Sequence, residues 1–305
     1  MKVIITGGTG LIGSALARAL AKDGHEVVAL TRDPAKPTPQ LPASVRRVRW
    51  DATTAEGWVQ EAEGADAIVH LAGETISPEA GLWTAERKRR IRQSRVDSTR
   101  AVVETIRQTT RKPGVLIQGS AIGYYGPHGD ETIIEGAPPG SDFLGDLAKE
   151  WEAVSQPVEE MGVRRALIRT GIVLSNEGGS LKFMALPFKL FVGGPLGSGR
   201  QYWPWIHIDD EVGAIRFLIE NEQARGPFNL TAPNPVTNKE FAATTGKVLG
   251  RPSLFPAPAF AIKLVLGEMS TLVLDGQRAI PHALQQAGYE FHFPNLEGAL
   301  RDILK

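Results

Sequence analysis

The chain has 305 residues, 42% of them apolar, with 34 basic and 34 acidic side chains and no cysteine. Zero net charge argues against a general binder of nucleic acid or of anionic membranes, and the lack of cysteine removes disulfides, thiolate metal sites and a cysteine nucleophile. No apolar run reaches about 18 residues, so no transmembrane helix is expected, and the length suits one large domain or two smaller ones.

The first predicted strand, Val3 to Ile5, meets a glycine cluster, and an amphipathic stretch begins at Leu11. Gly7, Gly10 and Gly13 sit three apart between them. Strand, glycines and helix in this order predict a dinucleotide-binding turn. Gly7 permits the turn, Gly10 keeps a Cβ out of the path of a pyrophosphate, and Gly13 lets the helix lie close on the sheet. The helix N-terminus, with Thr9, Leu11 and Ile12 around it, offers free N–H groups to the phosphates. Because a strand opens the chain, no signal peptide is expected.

Strands follow at 26–30, 45–50, 67–71 and 115–118, with helical patterns at 56–63 and 84–109 and a Pro-rich loop at 34–42. Such alternation predicts a parallel sheet with right-handed crossovers. A helix near 143–161 and a strand at 165–174 come next. Pro187 and the glycines of 193–199 mark loops, the latter a flap over the cleft rather than a phosphate loop, since no Lys-Ser or Lys-Thr ends it. Segments 206–209 and 228–230 are candidates to return to the sheet, on either side of an Asp-capped helix starting at Asp210. Helices at 238–249 and 259–273 fill a Pro-rich tail. The expected architecture is α/β, a Rossmann-type doubly wound parallel sheet (1–174 and 205–232) with a smaller mixed C-terminal cap domain (175–204 and 233–305).

Arg32 follows the second strand, where an acid would accept from a ribose 2′-OH; arginine suits a 2′-phosphate, so NADP is expected over NAD, the alternative being a solvated loop residue. Asp51 either faces the adenine or caps a helix. His70 reads as a packed strand residue, and the small residues of Leu71-Ala72-Gly73 leave room for a cofactor across the sheet end. Glu74 is a candidate contact to ribose or substrate. The basic start of helix 84–109 reads as a solvated face. Arg95 differs, sharing a stripe with Ile91, Ser98, Val102 and Ile106. It either meets a cofactor phosphate or snorkels. Ser120, Tyr124 and Tyr125 leave the fifth strand beside the expected nicotinamide. Trp203, Trp205 and His207 are aromatic or polar groups expected to converge on the cleft, with a structural role for His207 left open. No His/Asp/Glu grouping has metal spacing.

These segments, with Asp142-Phe143-Leu144, Trp151-Glu152, 169–174, 233–238, Gly276-Gln277-Arg278 and Pro294, carry a resemblance over nearly the whole chain. It resembles the short-chain dehydrogenase/reductase superfamily, extended or atypical branch, of the NAD-dependent epimerase/dehydratase type. More closely, it resembles the subfamily with a C-terminal domain of unknown function, sometimes labelled cell-division-inhibitor-like. The resemblance implies NADP held by the glycine loop, Arg32, Leu71-Ala72 and Arg95, with Gly73, Glu74 and Ser120 alongside. In that superfamily a serine polarises the substrate carbonyl, and a tyrosine, tuned by a lysine four residues on, transfers the proton. Here no Tyr-x-x-x-Lys exists. Phe143 and Leu147 stand where the pair is expected, and alignment on Tyr125-Gly126 puts Ala121, not Ser120, at the serine position.

Expected, then, is an NADP-dependent oxidoreductase or epimerase-like enzyme with a rearranged acid, Ser120, Tyr124 or Tyr125, and with Lys149 as a conceivable helper. The alternative is a non-catalytic NADP-binding regulator or sensor. A cytoplasmic monomer or homodimer is expected, with an unknown small-molecule substrate and no nucleic-acid or membrane partner; helix 84–109 is the candidate pairing surface.

Overall fold

Val3, Ile4 and Ile5 are all fully buried, as a strand covered on both faces of a parallel sheet must be. Val3 and Ile5 turn to one side and Ile4 to the other, each into its own apolar cluster. This period-2 division runs through the whole sheet and sets where every later side chain points.

The computed structural model describes residues 1–77 and 81–305. In chain order the elements are β1 (Lys2–Thr6), α1 (Leu11–Lys22), β2 (Glu26–Thr31), β3 (Arg46–Arg49), α2 (Val59–Ala62), β4 (Ala67–His70), α3 (Ala85–Gln108) and β5 (Val115–Ala121). Next come β6 (Thr132–Ile133), α4 (Phe143–Val154), β7 (Arg164–Thr170), β8 (Ile172–Leu174), α5 (Leu181–Lys189), β9 (Tyr202–Trp203), β10 (Trp205–His207), α6 (Ile208–Glu220) and β11 (Gly226–Leu230). The remainder is β12 (Val236–Thr237), α7 (Asn238–Leu249), α8 (Ala259–Leu266), α9 (Thr271–Leu274), β13 (Arg278–Ala279), α10 (His282–Gln286) and α11 (Leu296–Leu304).

Seven strands form one parallel sheet in the order β11-β7-β5-β4-β1-β2-β3. Strand order reverses between β1 and β4, which creates a crevice at their carboxyl ends. α1 and α6 cover one face; α3, with Trp50 and Trp58, covers the other. A third cluster outside the sheet joins Leu174, Leu181, Trp203 and Trp205 to Phe241, Val248 and the apolar stripe of α11.

Several elements depart from expectation for local reasons. The strand predicted over 165–174 is two strands. It breaks at Gly171, whose Cβ would lie 2.6 Å from the Pro204 carbonyl oxygen. There the chain leaves the sheet, and β8 pairs with β10 instead. Segment 206–209 therefore does not return to the main sheet, whereas 228–230 does, within β11. The helix over 143–161 stops at Val154, and Pro157 enters a 3-10 turn. The helix over 259–273 stops at Leu266 before Gly267, φ +55°. That over 56–63 shrinks to the single turn α2. α6 is capped not by Asp210 but by His207, whose ring accepts from the Asp209 amide at 3.1 Å.

Candidate functional site

The turn after β1 is shaped by two close approaches. Gly7 has φ +67°, and a Cβ there would sit 2.9 Å from the Leu71 backbone at the β4 exit. At Gly13 a Cβ would collide with the Gly7 carbonyl oxygen, so α1 can lie on the loop only without a side chain. Gly10 is different. A Cβ there would meet only the Gly7 oxygen, at 3.3 Å. Its bareness is not demanded by the protein and fits a ligand that passes close to the backbone. Gly10 is the N-cap of α1 and supplies no side-chain cap. The amides of Leu11 and Ile12 are thus among the orphan donors of the helix start, beside the exposed Thr9.

Thr6 ties the two sides of the crevice together. Its hydroxyl accepts from the amides of Leu71 and Ala72 at 3.1 and 3.2 Å and lies 2.6 Å from His70 Nδ1. The other His70 nitrogen is 3.0 Å from Thr99 Oγ1. Burial pushes this imidazole down to about 3, so it is a neutral, packed strand residue. Arg32 is exposed directly after β2 and has no ion-pair partner among the described residues. Asp51 serves a turn. Burial favours its neutral form, but the amides of Thr53 and Thr54 outweigh that and hold the carboxyl at about 2.

The basic start of α3 is less solvated than its composition suggests. Arg87, Ile91 and Arg95 share a stripe, and Arg87 is buried against the Glu74 carboxylate and the Thr75 carbonyl. Glu74 also pairs with Arg90, so its carboxylate is turned to α3 and committed there. Arg95 donates to the Glu74 carbonyl at 3.0 Å and to the Ile91 carbonyl at 3.1 Å. It crosses Gly73, where a Cβ would come within 3.3 Å of the guanidinium, and lies over the Trp151 ring. Burial pushes it down to about 10, with Glu74 opposing and Arg87 adding to the shift. Among the described residues it has no carboxylate hydrogen bond, which suits it to an incoming anion.

Arg95 forms one wall of a cavity of about 300 Å³ at the carboxyl ends of β5 and β7. The rest is mostly apolar, with Ile76, Ala121, Ile122, Leu144, Leu147, Trp151, Ile172 and Trp203. Ser120, Asp142, Thr170, Tyr202, Thr271, Asp275 and Gln277 bring its polar groups. The Asp142 carboxylate caps α4 by accepting from the Gly145 amide at 2.8 Å. Asp275 is raised above the ordinary carboxyl range by burial, with Lys263 opposing and Asp142 reinforcing.

The tyrosines expected beside the cofactor are committed elsewhere. Tyr125 is 1% exposed; its hydroxyl donates to Asn229 Oδ1 at 2.6 Å and accepts from Arg169 Nη1 at 3.0 Å. Burial is the main cause that pushes this phenol up to about 12. The Arg169 guanidinium sits over the Tyr124 ring, 3.5 Å from the ring centroid. Neither ring lines the cavity. Arg169 also makes two 2.8 Å bonds to Glu152, which accepts the Ser120 hydroxyl at 2.6 Å. Ser120 thus reaches the cavity wall but spends its proton on a buried ion pair. Lys149 is exposed and absent from the wall, and Phe143 packs edge-on against Trp83.

Of the remaining expected cleft residues only Trp203 arrives; Trp205 is fully buried in the third cluster. His207 stacks on Phe293 at 3.8 Å. It also meets Asp209 and Asp302, with ligand atoms of all three within 4.8 Å of one another. That grouping was invisible in the sequence because Asp302 lies far along the chain. His207 Nε2 lies 3.2 Å from the Asp302 carboxylate, while burial lowers the imidazole pKa and Asp209 and Asp302 oppose that shift.

One residue of the cavity wall and the acid behind it were missed. Thr170 is the register partner of Ala121 across β5 and β7. Its hydroxyl donates at 2.8 Å to Glu211, which is 0% exposed. The spacing of Glu211 to Ile215 and Leu218 on α6 was the available signal: an acid on an apolar stripe.

Comparison with known proteins shows the family and agrees with the fold. The family described as "NAD dependent epimerase/dehydratase family" matches residues 3–143, and a "Domain of unknown function (DUF1731)" matches 257–303. The "Epimerase family protein SA0724" of Staphylococcus aureus (strain N315) is 40% identical over 305 residues, covering 99% of this chain and 98% of its own. The "Epimerase family protein SH2119" of Staphylococcus haemolyticus is 40% identical over 303 residues, with the same coverage. Among solved structures, human epimerase family protein SDR39U1, crystallised with NADPH, superposes with TM-score 0.89 at 36% identity, over 99% of each chain. A nucleoside-diphosphate sugar epimerase from Corynebacterium glutamicum gives 0.78 at 33%, over 98% of this chain and 57% of its own.

Proposed function

Because the chain belongs to the NAD-dependent epimerase/dehydratase family, we propose that it is an NADP(H)-dependent enzyme of the atypical short-chain dehydrogenase type. It acts on the carbonyl or alcohol carbon of a small, largely apolar molecule. One observation carries this reading: the bare glycine turn and the cavity are joined through a continuous wall. Gly7 touches Leu71, Gly73 carries Arg95, and Arg95 faces the cavity.

The bare backbone at Gly10, the start of α1 without a side-chain cap and Arg32, unpaired among the described residues, fit a phosphorylated adenine dinucleotide. Bound NADP(H) would supply or accept a hydride. The protein's part is to hold the phosphates with the α1 amides, to take a 2′-phosphate with Arg32, and to place positive charge at the cavity with Arg95. Leu144, Leu147, Trp151 and Trp203 exclude water from the reacting carbon. Asp142 and Asp275 would repel a second diphosphate, which favours an uncharged body over a nucleotide sugar.

The test is single-turnover decay of NADPH fluorescence against a panel of aryl aldehydes and ketones. Oxidation by at least one member is expected. NADPH that binds but survives the whole panel would favour instead a cofactor-binding sensor without turnover, a reading supported by Phe143 and Leu147 in place of the tyrosine–lysine pair.

A further inference from the structure

We propose that Thr170 is the catalytic hydroxyl of this site and that buried Glu211 is the positioning acid that supplies its proton. This rests on the oxidoreductase reading above.

In the sequence, Ala121 holds the place at which the superfamily carries its serine. The sheet restores a hydroxyl one strand over. Ala121 and Thr170 are paired in register, so both side chains emerge on the same face at the same level, and both line the cavity. Ser120 also lines the cavity, but its hydroxyl is bound to Glu152, whose carboxylate is ion-paired with Arg169, whereas Thr170 is backed by an acid with no cationic partner among the described residues. Behind Thr170, α6 places Glu211 with no solvent exposure at all. One of its oxygens has Thr170 Oγ1 as its partner, and the other, Oε2, is buried with no hydrogen bond among the described residues. A carboxylate here would be a charge paired with nothing, so the neutral acid is the stable form. Burial raises it to about 8, with the Thr170 hydrogen bond opposing. The ionisable groups nearby are Asp209 and Asp210 on its own helix, His207 at the helix start, and Tyr289 packed against α6. The Asp210 carboxylate is taken up by the amides of His292 and Phe293, and Tyr289 donates to the Asp210 carbonyl. None of these bonds to Glu211.

The step balances in simple terms. In a carbonyl reduction, bound NADPH would supply the carbon with a hydride and its electron pair. The π pair moves to oxygen, which takes the Thr170 proton as that hydroxyl gives up its donation to Glu211 and accepts the acid proton of Glu211 in exchange. The carboxylate left behind recovers a proton from water through the same hydroxyl once product leaves.

The experiment combines infrared spectroscopy with turnover. At pH 7 the wild-type protein should show a carboxylic-acid C=O band that is lost in Glu211→Gln and shifted in Thr170→Val. With a substrate from the aryl carbonyl panel, Thr170→Val should lose about 100-fold in kcat, Thr170→Ser should recover most of it, and NADPH affinity should hold throughout. The alkaline limb of the kcat profile should vanish in Glu211→Gln. An ionised Glu211 at pH 7, or full turnover in Thr170→Val, overturns the relay while leaving the reductase reading intact. A wild-type protein that binds NADPH and reduces nothing overturns the reductase reading, and the relay with it.

Discussion

Gly10 and Gly13 look alike in the sequence and differ in what they permit. A Cβ at Gly13 would strike the Gly7 carbonyl, so Gly13→Ala should cost about 1–3 kcal/mol of stability, read from the urea midpoint. Arg32 makes no internal ion pair among the described residues, so Arg32→Ala should leave stability unchanged. It should weaken NADPH by about 10- to 100-fold and NADH little, since only a 2′-phosphate gives it a partner. Equal losses for both nucleotides in a binding titration would remove that role. Tyr125→Phe tests the reassignment of the tyrosines. It strands Asn229 Oδ1 and one Arg169 donor in a buried network, so about 1–3 kcal/mol of stability should go. Loss of turnover with stability untouched would return Tyr125 to the list of proton donors.

At the level of elements, the sheet was legible because parallel strands buried on both faces are written as apolar runs, and the glycine turn is written as a spacing. What could not be read was where the chain leaves the sheet. The break between β7 and β8 depends on the approach of Pro204 to Gly171, a contact between residues distant in sequence. The polar network was hidden for the same reason. Ser120, Glu152, Arg169, Tyr125 and Asn229 come from four elements and the turn after β5, and none announces its partner. Arg32, the turn and Arg95 could be singled out because local spacing marks them; Thr170 could not, because only register places it beside Ala121. Arg169 and Glu152 form a buried pair, 3% and 7% exposed. Removing one partner, as in Glu152→Ala, should cost about 3–5 kcal/mol by leaving a buried cation uncompensated. A urea midpoint close to that of the wild type would show the network to be dispensable.

For the whole molecule, two buried groups set a pH window for stability. His70 falls from an ordinary 6.5 to about 3 on folding, so its contribution is complete above 6.5 and is lost as pH falls from 6.5 toward 3. Glu211 rises from 4.5 to about 8, so its contribution is complete below 4.5 and is lost as pH rises from there toward 8. Between 4.5 and 6.5 the two slopes oppose each other, and outside that range each acts alone. Stability should therefore plateau near pH 4.5–6.5 and fall on both sides, by on the order of 1 kcal/mol per pH unit. Glu211→Gln should flatten the alkaline side only. Urea midpoints at acidic, plateau and alkaline pH check both limbs; an alkaline limb unchanged in Glu211→Gln would assign that loss to other groups. The same neutral acid links the core to the cavity, so the pH range of stability and that of turnover should share an alkaline boundary.

Calorimetric titration of NADPH into the wild-type chain and into Gly10→Val is the most direct measurement of the claim that the turn after β1 holds the coenzyme. A Cβ at Gly10 meets little of the protein itself, so the variant should remain folded. The wild type should bind one NADPH per chain, more tightly than NADH, and Gly10→Val should show no binding heat. A folded wild type that takes up no NADPH, or a Gly10→Val chain that binds it undiminished, would contradict the account.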